Sequence, residues 1–167
     1  HTGHIWEQTT LRRYLKKIGS PLFINLFGLG VVGYKNQVVS VHDIAYSINP
    51  KWFGWSYRTV YGLLLPILTR QARKVLTVSE FSKREIIKEY SISSDKIVIV
   101  SPAPKNRPHS EVEPGVEGKY VIAVSSIDPR KNFEMLIKAF VRRPDDGVKL
   151  VVVGGANKVF GDTIIDN

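Results

Sequence analysis

Short, nearly continuous apolar runs rich in β-branched residues recur along the chain, separated by polar stretches. They occupy residues 22–27, 38–41, 75–78, 97–100, 120–124 and 150–153. Runs of this length without polar alternation are typical of strands buried on both faces of a parallel sheet. Segments with helical spacing lie between several of them, so the sequence predicts β-α-β units and an α/β fold with parallel, Rossmann-like sheets.

The clearest predicted helix follows residue 132. Apolar side chains recur there at i, i+3, i+4 and i+7, namely Phe133, Leu136, Ile137 and Phe140. This spacing places them on one stripe that can face a sheet. Asn132 precedes the stripe and is of a residue type that caps helix starts.

Three further helices are expected earlier in the chain. Ser-Lys-Arg-Glu at residues 82–85 matches a capping box and predicts a helix over residues 83–90. Residues 57–73 also have helical character, although Pro66 should kink or divide that helix. Residues 6–17 are expected to form a basic surface helix.

A change of composition and a change of charge coincide near residue 108. Residues 101–118 carry four prolines, scattered charge and little apolar content, as linkers do. Residues 1–108 hold 16 Lys or Arg against 6 Asp or Glu, whereas residues 109–167 hold 8 against 9. The two features together predict one domain over residues 1–108, a linker over 109–118 and a second domain over 119–167.

The charge and the composition narrow the function classes. The formal net charge is +9, and its excess lies in the first domain, which indicates an anionic partner such as a lipid surface or nucleic acid, or else a solvated basic face. The absence of cysteine excludes disulfides and thiolate metal sites and favours a reducing, cytoplasmic compartment. The longest apolar run, residues 63–68, is far shorter than the roughly 20 residues of a membrane span.

Candidate site residues are those that follow the predicted strands, because ligands bind outside the carboxyl ends of strands in open parallel sheets. They are His42 and Asp43, Ser79, the loop of residues 125–132, and Gly154 with Gly155.

The loop of residues 125–132 is the most informative of these segments. It carries Arg130 and Lys131 into a helix N-terminus, where free amide groups and the helix dipole already favour an anion. Arg130 can grip phosphate oxygens in a fork, and Lys131 adds a compact charge. The alternative is that both side chains are solvated residues of the first helical turn.

The remaining candidates have plainer alternatives. His42 either lines a site or is satisfied by the backbone or by Asp43, and Asp43 is expected to orient His42 or to cap a turn. Ser79 is more typical of a helix cap than of a nucleophile, since no serine lies in a Gly-x-Ser-x-Gly elbow.

Two other kinds of site are not predicted. Gly28, Gly30 and Gly33 lead into a further strand and not into the helix that a dinucleotide fingerprint needs. The four histidines lack metal-ligand spacing with carboxylates, so neither a metal nor any other cofactor is expected.

Four segments, in this order and spacing, resemble the group 1 (family 4) retaining glycosyltransferases. They are Val-Val-Ser-Val-His-Asp (38–43), Val-Leu-Thr-Val-Ser-Glu-Phe-Ser-Lys-Arg-Glu-Ile-Ile (75–87), Asp-Lys-Ile-Val-Ile-Val (95–100) and Asp-Pro-Arg-Lys-Asn-Phe (128–133). Trp-Glu-Gln at residues 6–8 is similar to members that build bacterial surface polysaccharides such as lipopolysaccharide.

The resemblance implies the GT-B architecture, in which two Rossmann-like domains bind acceptor and nucleotide-sugar on either side of a cleft. It implies a metal-independent hexosyltransferase that moves a sugar from a nucleotide-sugar to a glycan or lipid-linked acceptor, at the cytoplasmic face of an anionic membrane. His42 and Asp43 would be the catalytic residues at the transfer centre, and Ser79, Gly154 and Gly155 would line the cleft. The donor diphosphate would be held by Ser125, Ser126, Arg130, Lys131 and Asn132.

The chain also departs from the family pattern. Such enzymes open with a glycine-rich loop that would precede His1, and they carry two glutamates, seven residues apart, that would follow Asn167. Many members have Gly-Arg where this chain has Ser125 and Ser126. We therefore expect a chain cut at both ends, with an incomplete second domain, that is inactive alone and self-associates as a dimer through exposed sheet edges.

Two other functions stay open. A nucleic-acid-binding protein would fit the pI near 9.8, but no RNP-like or helix-turn-helix pattern is evident, so no nucleic-acid partner is expected. A non-catalytic module that binds a nucleotide for regulation would fit the anion loop equally well.

Overall fold

A computed structural model describes residues 2–103 and 115–155 of the chain. The chain divides into two units, residues 1–105 and 106–167. Residues 104–114, which include the first six residues of the linker expected at 109–118, lie outside the described part, as do the last twelve residues. No helix among the described residues is long and apolar enough to cross a membrane.

The first unit is built on a parallel sheet of four strands in sequence order. The strands are β1 (Phe23–Asn25), β2 (Gln37–Ser40), β3 (Lys74–Thr77) and β4 (Ile97–Ile99). The register pairs Val39 with Val75 and Val75 with Ile97. These bounds match the apolar runs in the sequence to within a few residues, and the parallel α/β prediction is confirmed.

Helices surround and connect these strands. They are α1 (Thr2–Trp6), α2 (Arg12–Lys17), α3 (Ala45–Ile48), α4 (Trp55–Gln71) and α5 (Glu80–Tyr90), with a π-helical turn at Glu7–Leu11 and 3₁₀ turns at Pro50–Trp52 and Ser94–Lys96. The core forms where Leu68 of α4 and Ile86 of α5 pack against Val39 and Val75 of the central strands, all essentially inaccessible to solvent. Burial of these apolar side chains is the main stabilising contribution to the unit.

Helix α4 runs without a break through Pro66, so of the two effects expected of this proline, a kink or a division of the helix, the division is wrong. Proline lacks the N–H group that would bond one turn back, so the helix continues here with one backbone hydrogen bond fewer. The Thr69 hydroxyl donates to the Leu65 carbonyl at 2.8 Å just after the proline.

Helix α5 begins three residues earlier than the capping-box pattern predicts. Ser79, not Ser82, is the cap: its Oγ accepts from the Ser82 N–H at 3.1 Å. The prediction of a capping box at residues 82–85 is therefore wrong, because these four residues already lie inside the helix. The hydroxyl nearest the strand end satisfies the first free amide groups.

The predicted basic helix at residues 6–17 is confirmed as part of a longer helical segment, which begins with α1 and ends with α2. Gln8 of the π-helical turn joins this segment to the loop between β1 and β2, donating to the Gly30 carbonyl at 2.7 Å and accepting from the Val32 N–H at 2.8 Å. Gly30 has a positive φ of 85°, and a Cβ there would lie 2.9 Å from Val39. A glycine is therefore needed at position 30, because the backbone there lies too close to β2 for a side chain.

The second unit contains two parallel strands and one helix. They are β5 (Tyr120–Val124), the 3₁₀ turn Pro129–Lys131, α6 (Phe133–Val141) and β6 (Lys149–Val153). Phe133 is buried, and the other three residues of its stripe are partly buried. The expectation that both strands are buried on both faces is wrong among the described residues, since Val124 is 71% exposed and Ile122 is 53% exposed. Two strands and one helix cannot cover both faces of a sheet.

Candidate functional site

A pocket of about 180 Å³ lies in the first unit, next to the carboxyl ends of β1 and β2. It is lined by Leu26, Phe27, Gly28, Ser40, Val41, His42, Asp43, Tyr57, Tyr61 and Leu65. The structure thus brings His42 and Asp43 together at the edge of the sheet where ligands of parallel sheets bind.

His42 and Asp43 differ in what holds them. The His42 side chain is exposed, and its ring meets Phe27 edge-on with 6.0 Å between centroids. One carboxylate oxygen of Asp43 accepts from the Ala45 N–H at 3.0 Å, where the chain turns into α3. Asp43 therefore caps a turn, which was one of the two roles expected of it.

Two tyrosines of α4 form a further wall of the pocket. Tyr57 and Tyr61 are one helical turn apart and stack with centroids 3.9 Å apart and an interplanar angle of 13°. Burial raises the pKa of the Tyr57 phenol, and the neighbouring Tyr61 and Asp43 add to this shift. The phenol therefore stays neutral and can donate a hydrogen bond throughout the physiological pH range.

The chemistry of this wall suits a small polyol. The imidazole, the carboxylate and the two phenols offer both donors and acceptors, while Leu26 and Phe27 offer apolar surface. A sugar presents hydroxyl groups and apolar C–H faces together, so it complements such a lining.

In the second unit, the loop between β5 and α6 is organised by Asp128. This carboxylate is buried and caps the 3₁₀ turn by accepting from the Arg130 N–H at 2.9 Å. It also accepts from Arg130 Nε at 3.1 Å, from Nη2 at 3.0 Å and from the Ser126 hydroxyl at 3.0 Å. The hydrogen bonds from Arg130 hold the pKa of Asp128 below its ordinary value, although burial acts in the opposite direction.

Arg130 and Lys131 therefore stand in different surroundings. The Arg130 side chain is 31% exposed and is fixed by the two-point contact with Asp128. The Lys131 side chain is exposed, and no described residue pairs with it. One cation is held in place by its own loop while the other extends into solvent at the entrance to α6.

Asn132 precedes α6, but it does not cap the helix with its side chain as the sequence predicts. It is in the left-handed conformation, with φ 51°, and its side chain makes no capping hydrogen bond. Its carbonyl accepts from the Leu136 N–H at 3.2 Å. The predicted capping by this side chain is thus wrong, and the residue contributes its backbone conformation.

The two strand ends of the second unit approach each other closely at Ser125, Ser126, Gly154 and Gly155. The Ser125 N–H donates to the Val153 carbonyl, and the Ile127 N–H donates to the Gly155 carbonyl, both at 3.0 Å. A Cβ on Gly154 would fall on the Ser125 carbonyl oxygen, whereas one on Gly155 would meet nothing within 4 Å. Gly154 is therefore required by packing.

Ser79 stands at the carboxyl end of β3, as predicted, but its hydroxyl is used by the cap of α5 and also donates to the Ser82 hydroxyl at 3.1 Å. It does not line the pocket of His42. Among the described residues, no three His, Asp or Glu side chains come together in a group that could hold a metal ion.

Three residues of these sites, Asp128, Tyr57 and Tyr61, were not assigned a role from the sequence. Asp128 had a signal, since an aspartate before a proline at the first helical position is typical of a cap. Tyr57 and Tyr61 had none, because they reach the pocket through a helix that follows His42 by more than ten residues.

Comparison with known proteins finds a similarity that covers most of the chain. No protein-family model matches the chain. The chain is 28% identical over 152 residues to the O-antigen chain mannosyltransferase RfbU of Salmonella typhimurium. That alignment covers 91% of this chain and 42% of RfbU, so the chain spans less than half the length of this relative.

Proposed function

We propose that this chain is part of a glycosyltransferase of bacterial surface polysaccharide synthesis. The similarity to an O-antigen mannosyltransferase over 91% of the chain supports a transferase in this process. The finer parts of the proposal are the GT-B architecture, retention of configuration, independence from metal, and transfer of a hexose from a nucleotide-sugar to a glycan or lipid-linked acceptor.

The observation that carries the proposal is the loop of Asp128, Arg130 and Lys131 at the entrance to α6. Two cations next to a helix N-terminus suit the diphosphate of a nucleotide-sugar. Asp128 keeps Arg130 in one orientation, so little entropy is lost when a phosphate binds. A site that is ordered before its ligand arrives favours both binding and catalysis.

The transfer step follows from this placement. The bond between the anomeric carbon and the diphosphate breaks, and Arg130 with Lys131 stabilises the charge that develops on the leaving group. The acceptor hydroxyl forms the new bond to the anomeric carbon and gives its proton to the leaving phosphate. No metal takes part in this proposed step, because the two side chains supply the positive charge.

The pocket of His42 is the proposed place for the sugar that reacts. His42 and Asp43 would contact its hydroxyl groups, and Tyr57 would donate a hydrogen bond from its neutral phenol. The basic character of residues 1–108 fits an acceptor carried at an anionic membrane.

The test is calorimetric titration of the full-length protein with UDP, GDP and their sugar conjugates. The double variant Arg130→Ala, Lys131→Ala should lose at least about tenfold in affinity, since each charge-assisted hydrogen bond is worth about 1.5–3 kcal/mol. The control is Lys138→Ala with Arg142→Ala, which removes the same charge from the other end of α6. Equal affinity in all three proteins would contradict the proposal.

A further inference from the structure

A second, open pocket of about 350 Å³ lies in the first unit where α3 and α4 approach each other. It is lined by Tyr46, Ser47, Pro50, Trp55, Arg58 and Thr59. Neither His42 nor Asp43 lines this pocket, and the proposed sugar transfer does not involve it. Its lining contains one charged side chain, Arg58, and no carboxylate.

The guanidinium of Arg58 is unusual for a partly buried arginine. Its Nε is inaccessible to solvent and has no hydrogen-bond partner. Across residues 2–103 and 115–155, no hydrogen bond or ion pair to this guanidinium is found. A buried donor without an acceptor is unfavourable, and in native proteins it commonly marks a place where a water molecule or an ion belongs.

The other polar groups of the pocket are already paired. The Tyr46 hydroxyl lies 2.6 Å from the Tyr90 hydroxyl, and the Thr59 hydroxyl donates to the Trp55 carbonyl at 3.0 Å. The Ser47 hydroxyl donates to the Glu89 carboxylate of α5. Glu89 therefore has a partner in Ser47, and Arg58 is the lining group left to meet a ligand.

The surroundings of Arg58 favour an anion. Helix α4 begins after Gly54 without a side-chain cap, so its first amide groups and the positive end of its dipole add to the charge of Arg58. The Trp55 indole is 73% exposed and offers a flat wall beside the guanidinium.

We infer that this pocket binds a phosphate group through Arg58. The guanidinium presents parallel N–H donors whose spacing matches two phosphate oxygens. The terminal N–H groups of the guanidinium, which have no partner among the described residues, would donate these hydrogen bonds, while the inaccessible Nε stays out of reach of the phosphate. The pocket is built from residues of the first unit, whereas the loop of Arg130 belongs to the second, and the existence of this phosphate site does not depend on sugar transfer. Its use for a phosphorylated acceptor is the one part that rests on the proposed function.

The experiment first eliminates phosphate binding at the loop of Arg130. The parent protein is the full-length chain carrying Arg130→Ala and Lys131→Ala, so that inorganic pyrophosphate cannot be held there. Titration of pyrophosphate, followed by ³¹P NMR, is then compared between this parent, Arg58→Gln and the matched control Arg84→Gln. Arg84 is exposed on α5 and loses the same charge.

We expect Arg58→Gln to weaken pyrophosphate binding at least about tenfold and Arg84→Gln to leave it unchanged. Arg58→Gln should unfold at the same temperature as the parent or slightly above, because an unpaired buried donor is removed. Arg58→Lys gives a second check, since it keeps the charge but loses the fork and should retain only part of the binding.

A second arm identifies the source of the phosphate. Binding to phosphatidylglycerol vesicles is measured with the same variants. A loss specific to Arg58→Gln in the pyrophosphate arm supports a soluble or acceptor phosphate, and a loss confined to the vesicle arm supports a lipid headgroup. If Arg58→Gln binds like the parent in both arms, or if Arg84→Gln loses as much, the phosphate site is refuted.

Discussion

Asp128 accepts three hydrogen bonds from Arg130, one from its backbone N–H and two from its guanidinium, at 2.9–3.1 Å. The carboxylate side chain is fully buried, and the arginine side chain is 31% exposed. This pair connects the end of β5, the loop and the entrance to α6, so it has consequences for stability as well as for phosphate binding.

Asp128→Asn should destabilise the second unit. The amide has the same shape but carries no charge. Its oxygen can still accept from the Arg130 N–H and Nε, whereas its NH₂ group would face Arg130 Nη2 and the Ser126 hydroxyl, so the hydrogen bond from Nη2 is lost. We expect a decrease of about 1–3 kcal/mol in the free energy of unfolding. Urea unfolding combined with hydrogen exchange of the β5 amide groups measures it.

The matched control for Asp128→Asn is Glu134→Gln, which removes an exposed carboxylate paired with Lys138. Exposed pairs of this kind contribute little, so the control should unfold like the parent protein. Equal stability of the two variants would show that the buried carboxylate of Asp128 contributes no more to the free energy of unfolding than an exposed one.

The contribution of Asp128 should depend on pH. Its pKa is lowered in the folded protein, chiefly by the hydrogen bonds from Arg130. A lowered folded-state pKa means that the stabilisation is fully present above the unfolded-state pKa, which is about 3.9, and is lost as the pH falls through the folded-state value. The difference in stability between the parent and Asp128→Asn should therefore stay constant at neutral pH and shrink in acid. Urea unfolding at a series of pH values measures this difference. A difference in stability that does not change with pH would contradict the prediction.

Gly154 and Gly155 provide a comparison of two adjacent glycines. A methyl group at Gly154 meets the backbone carbonyl of Ser125, which cannot move without breaking the strand pairing, while one at Gly155 enters open space. Gly154→Ala should cost about 1–3 kcal/mol, as overpacked sites do, and Gly155→Ala should cost much less. Thermal unfolding of both variants measures the difference. Similar costs would mean that the two strand ends are further apart than the structure has them.

The sequence predicts the strands of the first unit well because their apolar runs are buried there, as Val39 and Val75 illustrate. It predicts the start of α5 poorly because Ser79 and Ser82 are equally good caps by residue type, and only the end of β3 decides between them. The exposure of Ile122 and Val124 was also not predictable from the sequence. An apolar run indicates that its residues favour burial, but it does not show which element covers them.

The candidate sites were predictable to the extent that they follow strands. His42, Asp43, Arg130 and Lys131 stand where the pattern of strands places them. The place of Tyr57 and Tyr61 in the pocket of His42 and the unpaired guanidinium of Arg58 were not predictable, because both depend on how α4 packs against distant elements. Such contacts are set by tertiary structure and leave no local pattern in the sequence.

A substitution at His42 in the full-length protein tests the proposed transfer centre independently of the proposed donor site. His42 lies at the pocket of the first unit, whereas the proposed diphosphate site is in the second. His42→Gln should therefore lower the rate of sugar transfer at least about tenfold, because a positioned imidazole at a reacting centre commonly contributes 10²-fold or more, while nucleotide affinity stays unchanged. His4→Gln is the matched control for the loss of an imidazole near the pocket, since His4 pairs with Glu7 and meets Tyr61 edge-on at 5.8 Å but does not itself line the pocket. Transfer rates with radiolabelled donor and calorimetry with the nucleotide give both quantities. A parallel loss of nucleotide affinity in His42→Gln, or an equal loss of rate in His4→Gln, would remove His42 from the transfer centre.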